Sequence, residues 1–376
     1  MLTVGVIGIG NAGSQVAALA RDELGVEAIA INSSEKDLET LPSSIRRIMI
    51  GDRKGAGKER MSAKVFLKES IISIIEDDDN KSVFKNDILF IISSTGGGTG
   101  SGASILLASV VKEVFPSTKV IVVGILPTIK EALSTQVNTL EYLQELYKTL
   151  EDPTYILYDN EKLAKEPSTV MMQKINKSIV DDINVIRGYY NNSTRFSSID
   201  EKDMTNIIST TGRIAIASLT DIKEKDIDEV SLEDLLINEF KTNTHCEIQR
   251  DKIVKRTGII VNLSDRLNDR FDTHIPHVQE FLGAPVEEFE HIVINQDRHM
   301  ENNIFLIAAG LTQINDRLSK INDRIDEINE LQKQMEEDSE LSAIDIDEMN
   351  SKIERKHTKD SEDQIDIKNI FNRFGV

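Results

Sequence analysis

The chain has 376 residues, 39% hydrophobic and 29% charged, a balance that excludes wholesale disorder and fits about two domains plus an appendage at roughly 150 residues per domain. Forty-four Lys and Arg face 64 Asp and Glu, for a formal net charge of -20, so phosphate backbones and anionic lipids are repelled on average and any action on DNA calls for a partner. A single cysteine, Cys246, excludes an internal disulfide framework and a multi-cysteine zinc site, and the absence of Trp with 5% aromatics argues against a stacking platform for single strands.

In chain order, Val4 to Ile9, Glu27 to Asn32, Asp87 to Ser93 and Lys119 to Leu126 read as buried strands, short and rich in Val and Ile. Helical patterns lie between and after them, at Ala12 to Asp22, Ala63 to Ile75, Ala103 to Phe115 and Leu133 to Leu150. This alternation predicts parallel strands with right-handed crossovers and helices on both faces. A further strand, Thr154 to Tyr158, ends in Asp159-Asn160, and a long helix is expected from Pro167 to about Tyr190. A polar loop follows, Asn191 to Asp203. Helices are then expected at Met204 to Leu219 and Leu232 to Asn243, and strands at Thr257 to Leu263, His291 to Asn295 and Ile304 to Ala309.

From Leu311 the apolar residues Ile314, Leu318, Ile321, Ile325, Ile328, Leu331 and Met335 recur at alternating spacings of three and four, a heptad stripe. This predicts one helix of about 25 residues, ~40 Å long. Three dispositions are open: packing across its own body, bridging to another subunit, or a free coiled-coil dimer. Arg317 and Arg324, one heptad apart, could then pair with acidic surface on a neighbour. Beyond Glu336 the chain is acidic and polar, a flexible tail by composition, ending in Ile367, Ile370, Phe371 and Phe374 at helical spacing. That end could dock an adaptor or fold back. The expected division is α/β: a parallel-sheet, Rossmann-like nucleotide domain (1–166), a long central helix (167–190), a smaller α+β C-terminal domain (191–310), a long C-terminal helix (311–337) and a tail (338–376).

Two motifs carry chemistry. Gly8-Ile9-Gly10-Asn11-Ala12-Gly13 is G-x-G-x-x-G between a strand and a helix, where glycines let the backbone approach a phosphate at the positive end of the helix. A dinucleotide site would require an acidic residue at the end of the second strand, and Asn32-Ser33-Ser34 stands there instead. The second motif is Gly96-Gly97-Gly98-Thr99-Gly100-Ser101-Gly102, at the next strand-helix junction. Glycine costs about 0.5–1 kcal/mol relative to alanine inside an element, so this many at one entrance point to backbone amides wrapping an anion. Two phosphate loops in one sheet exceed what one pyrophosphate needs and suit a triphosphate. Gly55-Ala56-Gly57-Lys58-Glu59 is not a Walker A loop, because Asp52 replaces the first glycine and Glu59 the hydroxyl.

These motifs resemble the tubulin/FtsZ family. Gly96 to Gly102 looks like its signature loop, Gly10-Asn11-Ala12-Gly13-Ser14-Gln15 its first phosphate loop, and Tyr158-Asp159-Asn160-Glu161-Lys162-Leu163 its sugar loop. Glu27 to Asn32 and Arg256 to Asn262 resemble two of its strands, so the likeness covers roughly residues 1 to 310. The long C-terminal helix and acidic tail point toward the plasmid- and phage-encoded branch that segregates low-copy DNA. The resemblance implies GTP/GDP and Mg2+ as cofactors and head-to-tail self-assembly into filaments. With the acidic balance it also implies a separate DNA-binding adaptor; the net charge argues against direct DNA binding or a membrane partner, and the single cysteine, with no targeting or spanning stretch visible, sets the cytoplasm as the expected location.

It further implies nucleotide contacts from Gly10, Asn11, Ala12, Gln15, Asn32, Gly96, Gly97, Gly98, Thr99, Gly100, Ser101, Glu131, Asn160 and Asn176. Asp200 and Asp203 would be lent to a neighbour's GTP to polarise the attacking water, with Glu201 adjacent to both. Asn160 and Asn176 match sugar and guanine contacts, since an amide can donate to O6 and accept from N1–H. Thr135 stands where an arginine usually partners Glu131, and Met172 where a phenylalanine often stacks on the base. No protein-only metal site and no Ser-His-Asp arrangement is visible. The rival readings are a cell-division FtsZ, a Rossmann NAD or FAD oxidoreductase, and a nucleotide-binding scaffold without turnover.

Overall fold

The computed structural model describes residues 2–188, 201–223, 225, 230–248, 254–264, 267, 276–283, 285–295, 302–311, 314–338 and 375. Six N-terminal strands, β1 (Val4–Ile9), β2 (Glu27–Asn32), β3 (Arg46–Met49), β4 (Ile88–Ser94), β5 (Lys119–Leu126) and β6 (Thr154–Asp159), pair in parallel in the order β3-β2-β1-β4-β5-β6. Each side of a strand feeds a different core. Val6 and Phe90 pack on one face with α1 (Gly10–Leu24) and α7 (Ser168–Gly188). Ile7, Ile9 and Ile91 pack on the other with α3 (Arg60–Glu76), α5 (Thr99–Val114) and α6 (Leu133–Lys148). Strands buried on both faces read as continuous apolar runs, which is why they stood out in the sequence.

The strand order reverses between β1 and β4, so a crevice opens beyond their carboxyl ends. Both glycine motifs lie there. The helices begin earlier than periodicity indicated, α1 at Gly10 and α5 at Thr99, because the glycines themselves form the first turns. Two short helices, α2 (Glu35–Glu39) and α4 (Asp78–Phe84), and the edge strand β3 have no apolar period to announce them; Arg46 and Arg47 on β3 are exposed.

Met204 to Leu219 is not a single helix: α8 (Glu201–Ile208) is followed by strand β7 (Gly212–Leu219). Ile214 and Ile216 enter one core while Ala215 and Ala217 enter another, so a strand buried on both faces imitated a helical run. β7 pairs β6 in parallel over three residues and carries the sheet onward through β10 (Asn303–Leu311), β8 (Val254–Leu263) and β9 (Pro285–Asn295) to ten strands. Helix α9 (Leu232–Thr242) packs on this part through Leu232, Leu236 and Phe240.

The C-terminal helix, Asn315–Asp338, packs across its own body: Ile314 and Ile321 are buried, with Leu318 and Ile325 beside them, in the core containing α6. Further along, Leu331 and Met335 are exposed. Arg317 does not face outward toward a neighbour, because it is buried in an ion pair with Asp159. Arg324 pairs with Glu327 of the same helix, 2.6 Å away. The tail bearing Phe371 and Phe374 lies outside the described residues.

Candidate functional site

Two adjoining hollows, of about 440 and 430 Å3, share Asn11, Ala12 and Ser94 and form one cleft along the carboxyl ends of β1, β4, β5 and β6. One end is built from backbone. Gly10, Asn11 and Ala12 of the first motif and Gly97, Gly98, Thr99 and Gly100 of the second line it, with Asn32. Neither α1 nor α5 has a side-chain cap: the preceding residues, Ile9 and Gly98, make no side-chain hydrogen bond to the helix start. Two sets of unpaired helix N–H groups therefore converge here, with the positive ends of two helix dipoles, an arrangement suited to anions.

The glycines have distinct tasks. Gly10 has φ +72°, and a Cβ on it would lie 2.9 Å from Gly100 N. A Cβ on Gly98 would meet Lys58 Cα at 2.8 Å, so the second loop needs that glycine to pack against residues 53–58. A Cβ on Gly97 would meet no atom within 4 Å; it would project into the open hollow. That surface is kept bare for something to approach the main chain, and the donor set is what a polyphosphate requires.

Gly96 and Ser101 do not line the cleft. A Cβ on Gly96 would strike Thr135 Cγ2 at 2.3 Å, and Ser101 is fully buried. Ser101 Oγ donates to Gly97 O and accepts from Arg60 Nε at 3.2 Å, while Arg60 Nη2 donates to Ser101 O at 2.9 Å. Arg60 is held in turn by Glu141 at 3.0 Å and Glu145 at 2.7 Å, and Lys64 also pairs with Glu145. These residues brace the loop from behind. Asn32 also shapes the backbone: its Oδ1 accepts from Ser33 N at 2.8 Å and its Nδ2 donates to Asp37 at 3.1 Å. Ser33 Oγ lies 2.6 Å from Thr99 Oγ1, which ties the second strand's end to α5.

The other end is built from side chains. Asn11, Gln15, Thr128, Glu131, Asn160, Met172 and Asn176 line it, with Gln15 Nε2 donating to Asn11 Oδ1 at 3.1 Å. Glu131 turns one carboxylate oxygen back on its own loop, accepting from Thr128 N at 2.9 Å. Asn160 opens a 3-10 turn, Asn160–Leu163, and Asn176 lies half-buried on α7. Met172 is exposed and flanks the same hollow, a flexible apolar surface where a planar group could rest. Of the two acidic candidates, Asp203 sits in the first turn of α8, outside this cleft, and Asp200 lies outside the described residues.

Sequence reasoning passed over the loop containing Lys54, Gly55, Ala56, Gly57 and Lys58, which forms one wall of the backbone-built end. Its glycine content was the available signal, set aside when the Walker A pattern failed. Lys58 has φ +66° and donates to Thr135 Oγ1 at 2.9 Å. Asn138 on α6 was also unread: its Nδ2 reaches Lys58 O at 2.9 Å and Gly97 O at 3.2 Å, joining the two loops. Among the described residues no group of three His, Cys, Asp or Glu could hold a metal ion. No helix among them is long and apolar enough to cross a membrane.

A second cavity, of about 470 Å3, lies along the other half of α7, lined by Asp181, Asp182, Glu239, His245 and Ser218 among others. Tyr158 OH donates to Asp182 Oδ2 at 2.6 Å and His245 Nε2 lies 2.7 Å from the same oxygen. Burial and the Asp182 carboxylate push the Tyr158 phenol well above its ordinary value of 10, so it stays a donor. Burial also raises Glu239, with Asp182 adding to the effect. Cys246 is buried beside this cluster and its thiol is pushed far up by desolvation.

A mostly parallel α/β sheet with a glycine-lined cleft at its switch point defines the molecule as a protein of doubly wound type. Comparison with known proteins narrows the class for the N-terminal part: residues 3–166 match the Tubulin/FtsZ family, GTPase domain. The tubulin-like protein CetZ of Pyrococcus furiosus is 31% identical over 187 residues, 47% of this chain and 50% of that protein. The tubulin-like protein TubZ of Clostridium botulinum C phage is 26% identical over 230 residues, 58% of this chain and 60% of that protein. The chain spans about half the length of the CetZ relatives it matches. A GTPγS-form protofilament of TubZ from Bacillus thuringiensis serovar israelensis has the same fold, with a TM-score of 0.71, 18% identity and coverage of 89% of this chain and 93% of that one.

Proposed function

We propose that this chain is a GTP-hydrolysing filament subunit, with residues 1–166 as its nucleotide-binding unit and residues 191–310 as the unit that completes a neighbour's site. The observation that carries the reading is the pair of uncapped helix N-termini facing bare Gly97 in one cleft. The triphosphate lies on the amides of residues 10–12 and 97–100, the ribose beside Glu131 and Asn160, and guanine beside Asn176, with Gln15 and Asn11 between. Mg2+ fits this scheme as an ion held largely by phosphate oxygens and water, as Mg2+ usually is, and it offsets charge on the reacting phosphate.

Asp203 is not among the described residues that line the cleft, and in this reading a second copy brings Asp203 and Asp200 to it. In the reaction a water oriented by a carboxylate attacks the γ-phosphorus, the bond to the β-phosphate oxygen breaks, and GDP and phosphate leave. The likeness to a TubZ protofilament in its GTPγS form supports this reading. The phage TubZ relative supports a role in moving plasmid or phage DNA, through an adaptor whose basic surface offsets this chain's net charge of -20. The higher identity to CetZ favours a second reading, a tubulin-like filament with another task in the cytoplasm.

Phosphate release from GTP with Mg2+, measured per subunit across protein concentrations, tests the mechanism. The expected result is a threshold followed by a sharp rise, abolished by D200A and by D203A with GTP binding retained. A rate per subunit that is flat from the lowest concentration sinks the shared site, and no release at any concentration sinks the enzyme.

A further inference from the structure

The C-terminal helix packs on the body through the apolar residues Leu318, Ile321 and Ile325, with Ile314 just before it. Arg317 interrupts that pattern. It is 7% exposed, and it reaches two loops at once. Arg317 Nε donates to Asp159 Oδ2 at 2.8 Å, and Arg317 Nη2 donates to Pro127 O. Both partners directly precede lining residues of the side-chain-built end of the cleft: Pro127 precedes Thr128 and the turn to Glu131, and Asp159 precedes Asn160.

The connection continues through Asp159. Its other oxygen, Oδ1, accepts from Glu161 N at 3.1 Å and so caps the 3-10 turn that presents Asn160. Glu161 Oε2 accepts from Ile129 N at 2.7 Å, which ties that turn to the loop after Pro127. One guanidinium therefore sets the spacing of the two loops, and the carboxylate it binds sets the turn. A buried ion pair is a poor device for stability alone, since apolar residues of similar volume serve as well or better. A fork with donors in fixed directions is instead a device for geometry, and lysine cannot reproduce it. Arg317 Nη1 is buried and has no partner among the described residues, so the guanidinium is held by the two loops rather than by a fully satisfied shell.

We propose that Arg317 is a positioning residue for the sugar edge of the cleft, and that through it the C-terminal helix is coupled to whether a nucleotide occupies that edge. The proposal rests on the nucleotide reading above. Occupancy that fixes the loops at Thr128 and Asn160 also fixes Asp159 and Pro127, and thereby the first turn of the helix. By linkage, anything that pulls on the helix alters affinity at the ribose.

The test compares GTP with 2′-deoxy-GTP in equilibrium binding to the full chain by calorimetry, for wild type, R317M and R317K. Wild type is expected to favour GTP, and both variants to lose roughly tenfold of that ratio, as expected when about one well-aligned hydrogen bond is lost. Triphosphate affinity set at the glycine loops falls for both nucleotides by less. A general loss of fold lowers both affinities together and leaves the ratio in place, and R317K, which keeps the charge, carries the test if R317M does not fold. In wild type, hydrogen exchange at residues 315–321 is expected to slow when GTP is added. An unchanged ratio in a folded variant, equal binding of the two nucleotides by wild type, or exchange indifferent to GTP overturns the proposal. Binding of neither nucleotide by wild type overturns the nucleotide reading itself.

Discussion

Helix α7 borders two hollows built on opposite principles. Along its first half, Met172 and Asn176 face a cleft whose other end is made of main-chain amides and glycines. Along its second half, Asp181 and Asp182 face a cavity made of side chains, with Glu239 and His245 opposite. The first offers an anion the positive ends of two helix dipoles, with Lys54 and Lys58 in its wall. The second gathers carboxylates and raises the proton affinity of Glu239. In a chain of net charge -20, an anion is thus received by backbone geometry, locally insulated from the acidic whole. The lesson is that the two sites fail differently when mutated: the backbone-built one by steric intrusion, the side-chain-built one by changes of charge.

The largest effects are expected at the glycines, and they separate fold from site. G98A places a methyl 2.8 Å from Lys58 Cα, so main chain must move; a loss of about 1–3 kcal/mol of stability is expected, with GTP binding lost as well. G97A meets no protein atom, so its melting temperature should match wild type while GTP affinity falls on the order of a hundredfold. Thermal melts with calorimetric titration check both. Equal affinity in G97A would mean that nothing approaches the main chain at that point, and the comparison between the two hollows would collapse.

A smaller effect is expected at the side-chain-built end. N176A should lower the preference for GTP over ATP by roughly tenfold, the scale of one or two hydrogen bonds, while the affinity contributed by the glycine loops persists. Competition of ATP against bound GTP reads this ratio directly. If the ratio holds, the base is read by other groups, and α7 contributes only Met172 and its apolar neighbours to this edge.

What was legible in the sequence divides along the same line. Backbone-built features announce themselves, because glycine at a strand-helix junction has few uses; Gly10 and Gly97 to Gly100 fall together in one cleft. The parallel strands were legible for a related reason, being buried on both faces. Side-chain networks were not. Tyr158, Asp182 and His245 are scattered along the chain, and nothing local marks them as neighbours. Lys58 and Asn138 brace the phosphate end from 80 residues apart. Arg317 looked like an exposed heptad residue, because periodicity assigns it a face and cannot show that Asp159 waits beneath. The helix expected at Met204 to Leu219 failed at Gly212, whose φ of +124° ends one element and starts another.

The smallest effect expected is electrostatic, at Glu239. Burial raises its carboxyl above the usual value of 4.5, Asp182 adds to the rise and Lys162 opposes it. A raised value in the folded state means that protonation favours the fold. The contribution is fully present below the ordinary value of 4.5 and is lost as the pH climbs through the raised one. At pH 7.5 the wild type therefore carries an unfavourable charge in this cavity that E239Q removes without changing its shape. The variant should melt roughly a degree or two higher at pH 7.5 and converge with wild type below pH 4.5. A variant less stable than wild type at every pH would mean that the carboxylate is held by a favourable partner. The cavity along the second half of α7 would then be a satisfied polar network rather than a strained acidic one, and the contrast with the backbone-built cleft would narrow to their construction alone.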